Sequence, residues 1–217
     1  KLFFSRVVFV DYIYIKTKRI KFNKIRKMYG SWISKSFTKW NILLFNEYEK
    51  VMFLDADVII KHNIDNLFDL NTPAATFDLP QKKSNKNRNG IYNPYNATHG
   101  ELVSSSSINR GLGLDGKVSF ACIGTTIILS PDKKHFEQFK NELKNAEPFG
   151  FTKCINGFDE QSIVWYYSVV LKQRWTHIDC SYNMVVGKVN KWKHKNPIKV
   201  LHYVGGKPWN MRRDEWP

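Results

Sequence analysis

The sequence predicts an α/β domain with a mostly parallel central sheet flanked by helices, and three observations carry that expectation. Apolar runs of strand length alternate with helical patterns along the chain. The run Val51-Met52-Phe53-Leu54 is continuously apolar and ends abruptly at Asp55, as a strand covered on both faces does. A length of 217 residues, 42% hydrophobic and 24% charged, suits one domain (1–217) with its own core.

Taken in order, residues 2–10 are rich in Val and Phe and predict a buried strand. A basic segment follows and ends near Gly30. Ser36-Phe37-Thr38-Lys39-Trp40 opens a helical pattern with Trp40, Leu43, Leu44 and Tyr48 on one face. Residues 51–54 read as a central strand, 58–60 as further extended chain, and 63–68 as a short helical turn. A strand at 74–77 precedes a long polar stretch, 81–117, whose Asn, Ser and Gly content marks a loop or lid. Residues 118–129 are strand-like with an interruption at Gly124, and Ser130-Pro131-Asp132 starts a helix running to about Ala146. Another helix opens at 157–161 and runs through Val170. Lys199-Val200-Leu201 then leads into His202.

The net charge of +15 raises nucleic acid or an anionic surface as a partner. The Lys excess comes with many Asn and Ile residues, a compositional bias that needs no selection on charge. No nucleic-acid-binding motif is recognisable either, so nucleic acid is disfavoured. No uninterrupted apolar stretch of about 18 residues is present, so no transmembrane helix is expected. Cys122, Cys154 and Cys180 are odd in number and form no CxxC pair, which argues against a disulfide framework and a structural zinc site. The cytoplasm is the favoured compartment, and a homodimer stays an option.

The chemistry centres on Asp55 and Asp57. Strand alternation sends both carboxylates to one side at a strand's carboxyl end, where α/β sheets bind ligands. Two such charges repel each other and are costly near a core unless a cation lies between them. Mn²⁺ or Mg²⁺, with carboxylate and phosphate oxygens as ligands, resolves that conflict. The plainer reading is an exposed turn.

Four segments then occur in order: Thr38-Lys39; residues 51–57 with their Asp-Ala-Asp; residues 63–68; and His202-Tyr203-Val204-Gly205-Gly206-Lys207-Pro208-Trp209. Together they resemble the glycogenin-like glycosyltransferases, glycosyltransferase family eight, over roughly Val7 to Asn210. The resemblance implies a GT-A fold, a Mn²⁺-bound UDP-sugar donor, a hydroxyl-bearing glycan or protein acceptor, and transfer with retention at the anomeric carbon. It also implies that the family's first strand and nucleotide-gripping loop would lie before Lys1.

Residue by residue, Asp55 and Asp57 match the family's metal-binding aspartates, and His202 matches the third metal ligand. Gly205, Lys207 and Trp209 match the later positions of the motif, Lys207 being the residue expected on the donor diphosphate. His202 to Lys207 is one residue shorter than the usual spacing. Lys39 is implied near the nucleotide sugar, and Asp78 as a further sugar contact. Asp159, Glu160 and Gln161 stand where the family carries an Asp-Gln pair below the reacting carbon. Plainer uses exist for some: Asp159 could cap its helix and Trp209 could pack in the core. The expectation is a hexosyltransferase, with a catalytically inactive scaffold as the alternative.

Overall fold

A computed structural model describes residues 4–15, 32–77, 98–112, 122–145, 159–191, 196–204 and 207–210. Two sheets organise these residues. The larger has four strands in the order β1 (Val51–Leu54), β4 (Cys122–Leu129), β3 (Ala74–Phe77), β5 (Thr176–His177). The smaller has the order β2 (Val58–Ile60), β7 (Val200–His202), β6 (Met184–Val185).

The domain is α/β as expected, but the described pairings correct the mostly parallel sheet. β1–β4, β3–β4 and β2–β7 are antiparallel, and only β3–β5 and β6–β7 are parallel. The physical reason is that an apolar run records burial and not the direction of the strand it pairs with. The Asp55-Ala56-Asp57 link between β1 and β2 is far too short for a crossover, and it carries the chain into the other sheet instead.

Among the described strands, β1 lies at an edge of its sheet rather than in the centre. Its apolar run is explained by two different neighbours. Val51 and Phe53 face the main core, with Phe53 6.2 Å from the Trp40 ring, while Met52 and Leu54 pack on a second cluster around Leu67, Ile128 and Val200. Both faces of a strand can thus be apolar at an edge.

The helical pattern beginning near Ser36 becomes a 3-10 helix, Ile33–Leu44, in which Phe37, Trp40 and Leu43 recur every third residue and are buried. Tyr48, expected on that face, is exposed. A second 3-10 turn covers Asp65–Asp69, close to the helical turn expected there. Within the expected polar loop, the described part holds a short helix α1 (Ser105–Gly111) and a bridge from Leu102 to Thr176. Helix α2 (Lys133–Asn145) is capped by the Asp132 carboxylate, which accepts from the backbone N–H groups of Lys134 at 2.7 Å and His135 at 2.9 Å. Helix α3 (Asp159–Trp165) continues as a π turn to Val170, Leu171 N donating back to Tyr166 O at 3.0 Å.

The strand expected at 2–10 is a further correction. Residues 4–10 form no strand, and Phe9 is 95% exposed. An apolar, β-prone run becomes a strand only when it finds a partner, and none of the described strands pairs with it. The chain is anchored further on, where Ile13 is buried, its N–H donates to Thr38 Oγ1, and the Asp11 carbonyl accepts from Asn41 Nδ2.

Candidate metal centre

The site forms where the two sheets meet at the Asp55–Asp57 turn. Asp55 leaves β1 with its N–H donating to Thr125 O at 3.3 Å. Asp57 enters β2 with its carbonyl accepting from Tyr203 N at 3.0 Å, just past the Val58–His202 pair of β2 and β7. These main-chain bonds fix both aspartates against the end of β7. One ligand atom each from Asp55, Asp57 and His202 then lies within 4.8 Å of the others, so residues nearly 150 positions apart converge.

A break in β4 supplies the third wall. Its pairing with β3 jumps from Ala75–Ile127 to Thr76–Ile123, leaving Gly124, Thr125 and Thr126 as a bulge on that edge. The bulge turns the buried Thr125 hydroxyl toward Asp55 Oδ2 at 3.2 Å and His202 Nδ1 at 2.7 Å. Gly124 leaves room for Glu160 to pass: a Cβ there would stand 1.7 Å from Glu160 Cγ.

Two lysines close the constellation. Lys39 Nζ lies 3.4 Å from Glu160 Oε1 and 3.7 Å from Asp55 Oδ1, over the Phe53 ring. Lys207 Nζ pairs with Asp57 Oδ2 and donates to Tyr203 O at 3.0 Å. Among the described residues the site therefore sets three carboxylates against two ammonium groups. Burial pushes the Asp55 carboxyl up; the Lys39 ammonium opposes this, and the carboxylates of Glu160 and Asp57 add to it. Burial also pushes the His202 imidazole down, against the pull of Asp57, so the ring is neutral at pH 7 with a lone pair to offer.

That donor set fits a hard or borderline divalent cation: two carboxylates, one neutral imidazole, and a residual negative charge for the cation to offset. Of the three residues weighed at the start of α3, Glu160 faces the cluster. The Gln161 side chain is buried and donates to the Cys122 carbonyl at 3.2 Å. The Asp159 side chain lies outside the described residues, as do Asp78 and Gly205. Trp209, 64% exposed, is not a core residue. Sequence reasoning missed Thr125 and Asn183; Asn183 Oδ1 stands 3.2 Å from His202 Nδ1. The interruption at Gly124 was the available signal for Thr125, since an isolated glycine in a strand marks a bulge.

Comparison with known proteins adds a second line. A family model described as "Mannosyltransferase putative" matches residues 5–76. The chain is 28% identical over 235 residues to an uncharacterized protein of Acanthamoeba polyphaga mimivirus, covering 99% of this chain and 69% of that protein. It is 24% identical over 185 residues to UDP-glucuronate:xylan alpha-glucuronosyltransferase 2 of Arabidopsis thaliana, covering 82% of this chain and 24% of the plant protein. It is 26% identical over 187 residues to galactinol synthase 1 of Solanum lycopersicum, covering 83% of this chain and 51% of the relative. The chain thus spans about a quarter to a half of the length of these plant relatives. The family description and the plant relatives' names support a glycosyltransferase function for the chain.

Proposed function

We propose that residues 1–217 are the GT-A-type, glycogenin-like catalytic unit of a retaining hexosyltransferase that takes its sugar from a UDP-sugar and delivers it to a hydroxyl of a glycan or protein acceptor. The observation that carries this reading is the convergence of Asp55, Asp57 and His202, flanked by Lys39, Lys207 and Glu160. A nucleotide-sugar donor is further supported by the relative whose name includes UDP-glucuronate.

Asp55, Asp57 and His202 would hold Mn²⁺, or Mg²⁺ in its place, which when bound supplies Lewis-acid stabilisation of the departing diphosphate. Lys207 pairs with Asp57 in the free chain, and it is the group to swing onto the diphosphate as charge develops there. Gly205 and Trp209 are assigned to donor binding by resemblance alone. Lys39 holds the Glu160 carboxylate in place. Glu160 then stabilises positive character at the anomeric carbon. Asp78 is assigned to the sugar by resemblance alone.

The test is UDP release from UDP-glucose, UDP-galactose, UDP-N-acetylglucosamine and UDP-glucuronate, with Mn²⁺ or with EDTA, and GDP-mannose as a further arm. Turnover of at least one UDP-sugar is expected with Mn²⁺, falling roughly 100-fold or more in Asp57→Ala. Equal turnover in EDTA would remove the metal, and a preference for GDP-mannose would remove the uridine donor.

A further inference from the structure

We infer that Thr125 is a positioning residue of the metal centre, a single hydroxyl that sets the carboxylate of Asp55 and the tautomer of His202 together. The inference rests on the metal-site reading given above. Thr125 is fully buried and lies on the β4 bulge rather than on either ligand's own element. Its Oγ1 stands 3.2 Å from Asp55 Oδ2, 2.7 Å from His202 Nδ1 and 3.1 Å from His202 Nε2.

A threonine hydroxyl has one proton to give and two lone pairs to receive with. Asp55 offers a carboxylate, the strongest acceptor within reach, so the proton goes there. Toward the imidazole the hydroxyl is then an acceptor. Asn183 settles which ring nitrogen donates. Its Nδ2 is engaged on the Ile123 carbonyl at 3.3 Å, so the atom it turns to His202 Nδ1, at 3.2 Å, is the acceptor Oδ1. Nδ1 is the nearer ring nitrogen to the hydroxyl, at 2.7 Å against 3.1 Å for Nε2, and it alone also faces Asn183 Oδ1, so the proton is assigned to Nδ1. The Nε2 lone pair is left for the cation, on the side where Asp57 Oδ1 lies 3.7 Å away. A hydrogen-bond partner on one ring nitrogen that fixes the other as ligand is a common arrangement around bound metals. Here one hydroxyl serves two ligands at once.

The experiment compares wild type, Thr125→Val and Thr125→Ser, each checked for folding by circular dichroism. Mn²⁺ affinity is measured by titration calorimetry, and the His202 tautomer in metal-free protein by imidazole ¹⁵N chemical shifts. Val keeps the shape and removes the hydroxyl; Ser keeps the hydroxyl. The expected result is a loss of Mn²⁺ affinity of roughly 10- to 100-fold in Thr125→Val, with Thr125→Ser within about threefold of wild type. The metal-free wild type and Thr125→Ser should show the Nδ1-protonated form, and Thr125→Val a mixture. A Thr125→Val protein with wild-type affinity and tautomer overturns the inference. Wild type failing to bind Mn²⁺ would defeat the metal reading instead, and the tautomer comparison would still decide the role of Thr125.

Discussion

Gly124→Ala puts one methyl group where Glu160 enters the site. The added Cβ would lie 1.7 Å from Glu160 Cγ and 2.4 Å from its Cδ and Oε1, whereas carbon atoms in contact sit at about 3.5–4.0 Å. Glu160 Cγ must therefore retreat by about 2 Å. The carboxylate, now 3.4 Å from Lys39 Nζ, leaves that ammonium and the position it holds. Gly124 itself has no left-handed backbone, so alanine adds no backbone strain there, and the three nearest atoms to the new methyl group all belong to the flexible Glu160 side chain. A misplacement of about 1 Å at a reacting centre costs on the order of 100-fold, so donor turnover should fall at least that much. Stability should drop by only about 1–2 kcal/mol. Lys39 loses Glu160 and is left to Asp55, so Mn²⁺ affinity should fall severalfold, well short of the loss in turnover. The assay pairs UDP release with Mn²⁺ calorimetry and urea denaturation on the same preparation. A folded Gly124→Ala protein with wild-type turnover would refute the role given to Glu160.

Lys207→Met should move two affinities in opposite directions. Removing the ammonium that pairs with Asp57 should raise Mn²⁺ affinity roughly five- to tenfold, while UDP affinity in saturating Mn²⁺ falls by a similar factor; calorimetry that finds both moving the same way contradicts the partner exchange. Burial pushes the His177 imidazole down to about 4, against an ordinary value of 6.5. The unfolded chain therefore takes up this proton first, so stability present above pH 6.5 is lost as pH falls toward 4, by about 3 kcal/mol. Urea midpoints between pH 4 and 7 should fall along that course and flatten in His177→Gln, and an equally steep fall in the variant would count against it. Asp132→Ala removes the cap of α2 and should cost about 1 kcal/mol in urea denaturation with Mn²⁺ binding unchanged.

Much of the site was legible before the fold, because its chemistry is written in residue types that have few uses together. Asp55 and Asp57 at the end of an apolar run read as a cation site or an exposed turn, and the family resemblance of the segment from His202 to Trp209 pointed to the distant partner. Local signals also placed β3 at Ala74–Phe77 and the start of α2. Legibility stopped where the outcome depends on pairing. An apolar run does not say whether its strand is central or at an edge, nor whether its neighbour runs parallel, so the sheet direction and the fate of residues 4–10 were misread. Asn183 carried no signal, and Thr125 only the indirect one of the break at Gly124, for a related reason. A threonine in a strand ordinarily means β-propensity, and only the register slip against β3 turns this one into the site.

The central claim is that Asp55, Asp57 and His202 hold a divalent cation against a diphosphate. Crystals of the chain soaked in MnCl₂ and UDP, with diffraction recorded at the manganese edge, test it most directly. One strong anomalous peak is expected within about 2.5 Å of both carboxylates and His202 Nε2, with Lys207 released from Asp57 onto the phosphates. A peak elsewhere, or none at saturating Mn²⁺ with Lys207 still on Asp57, would contradict it.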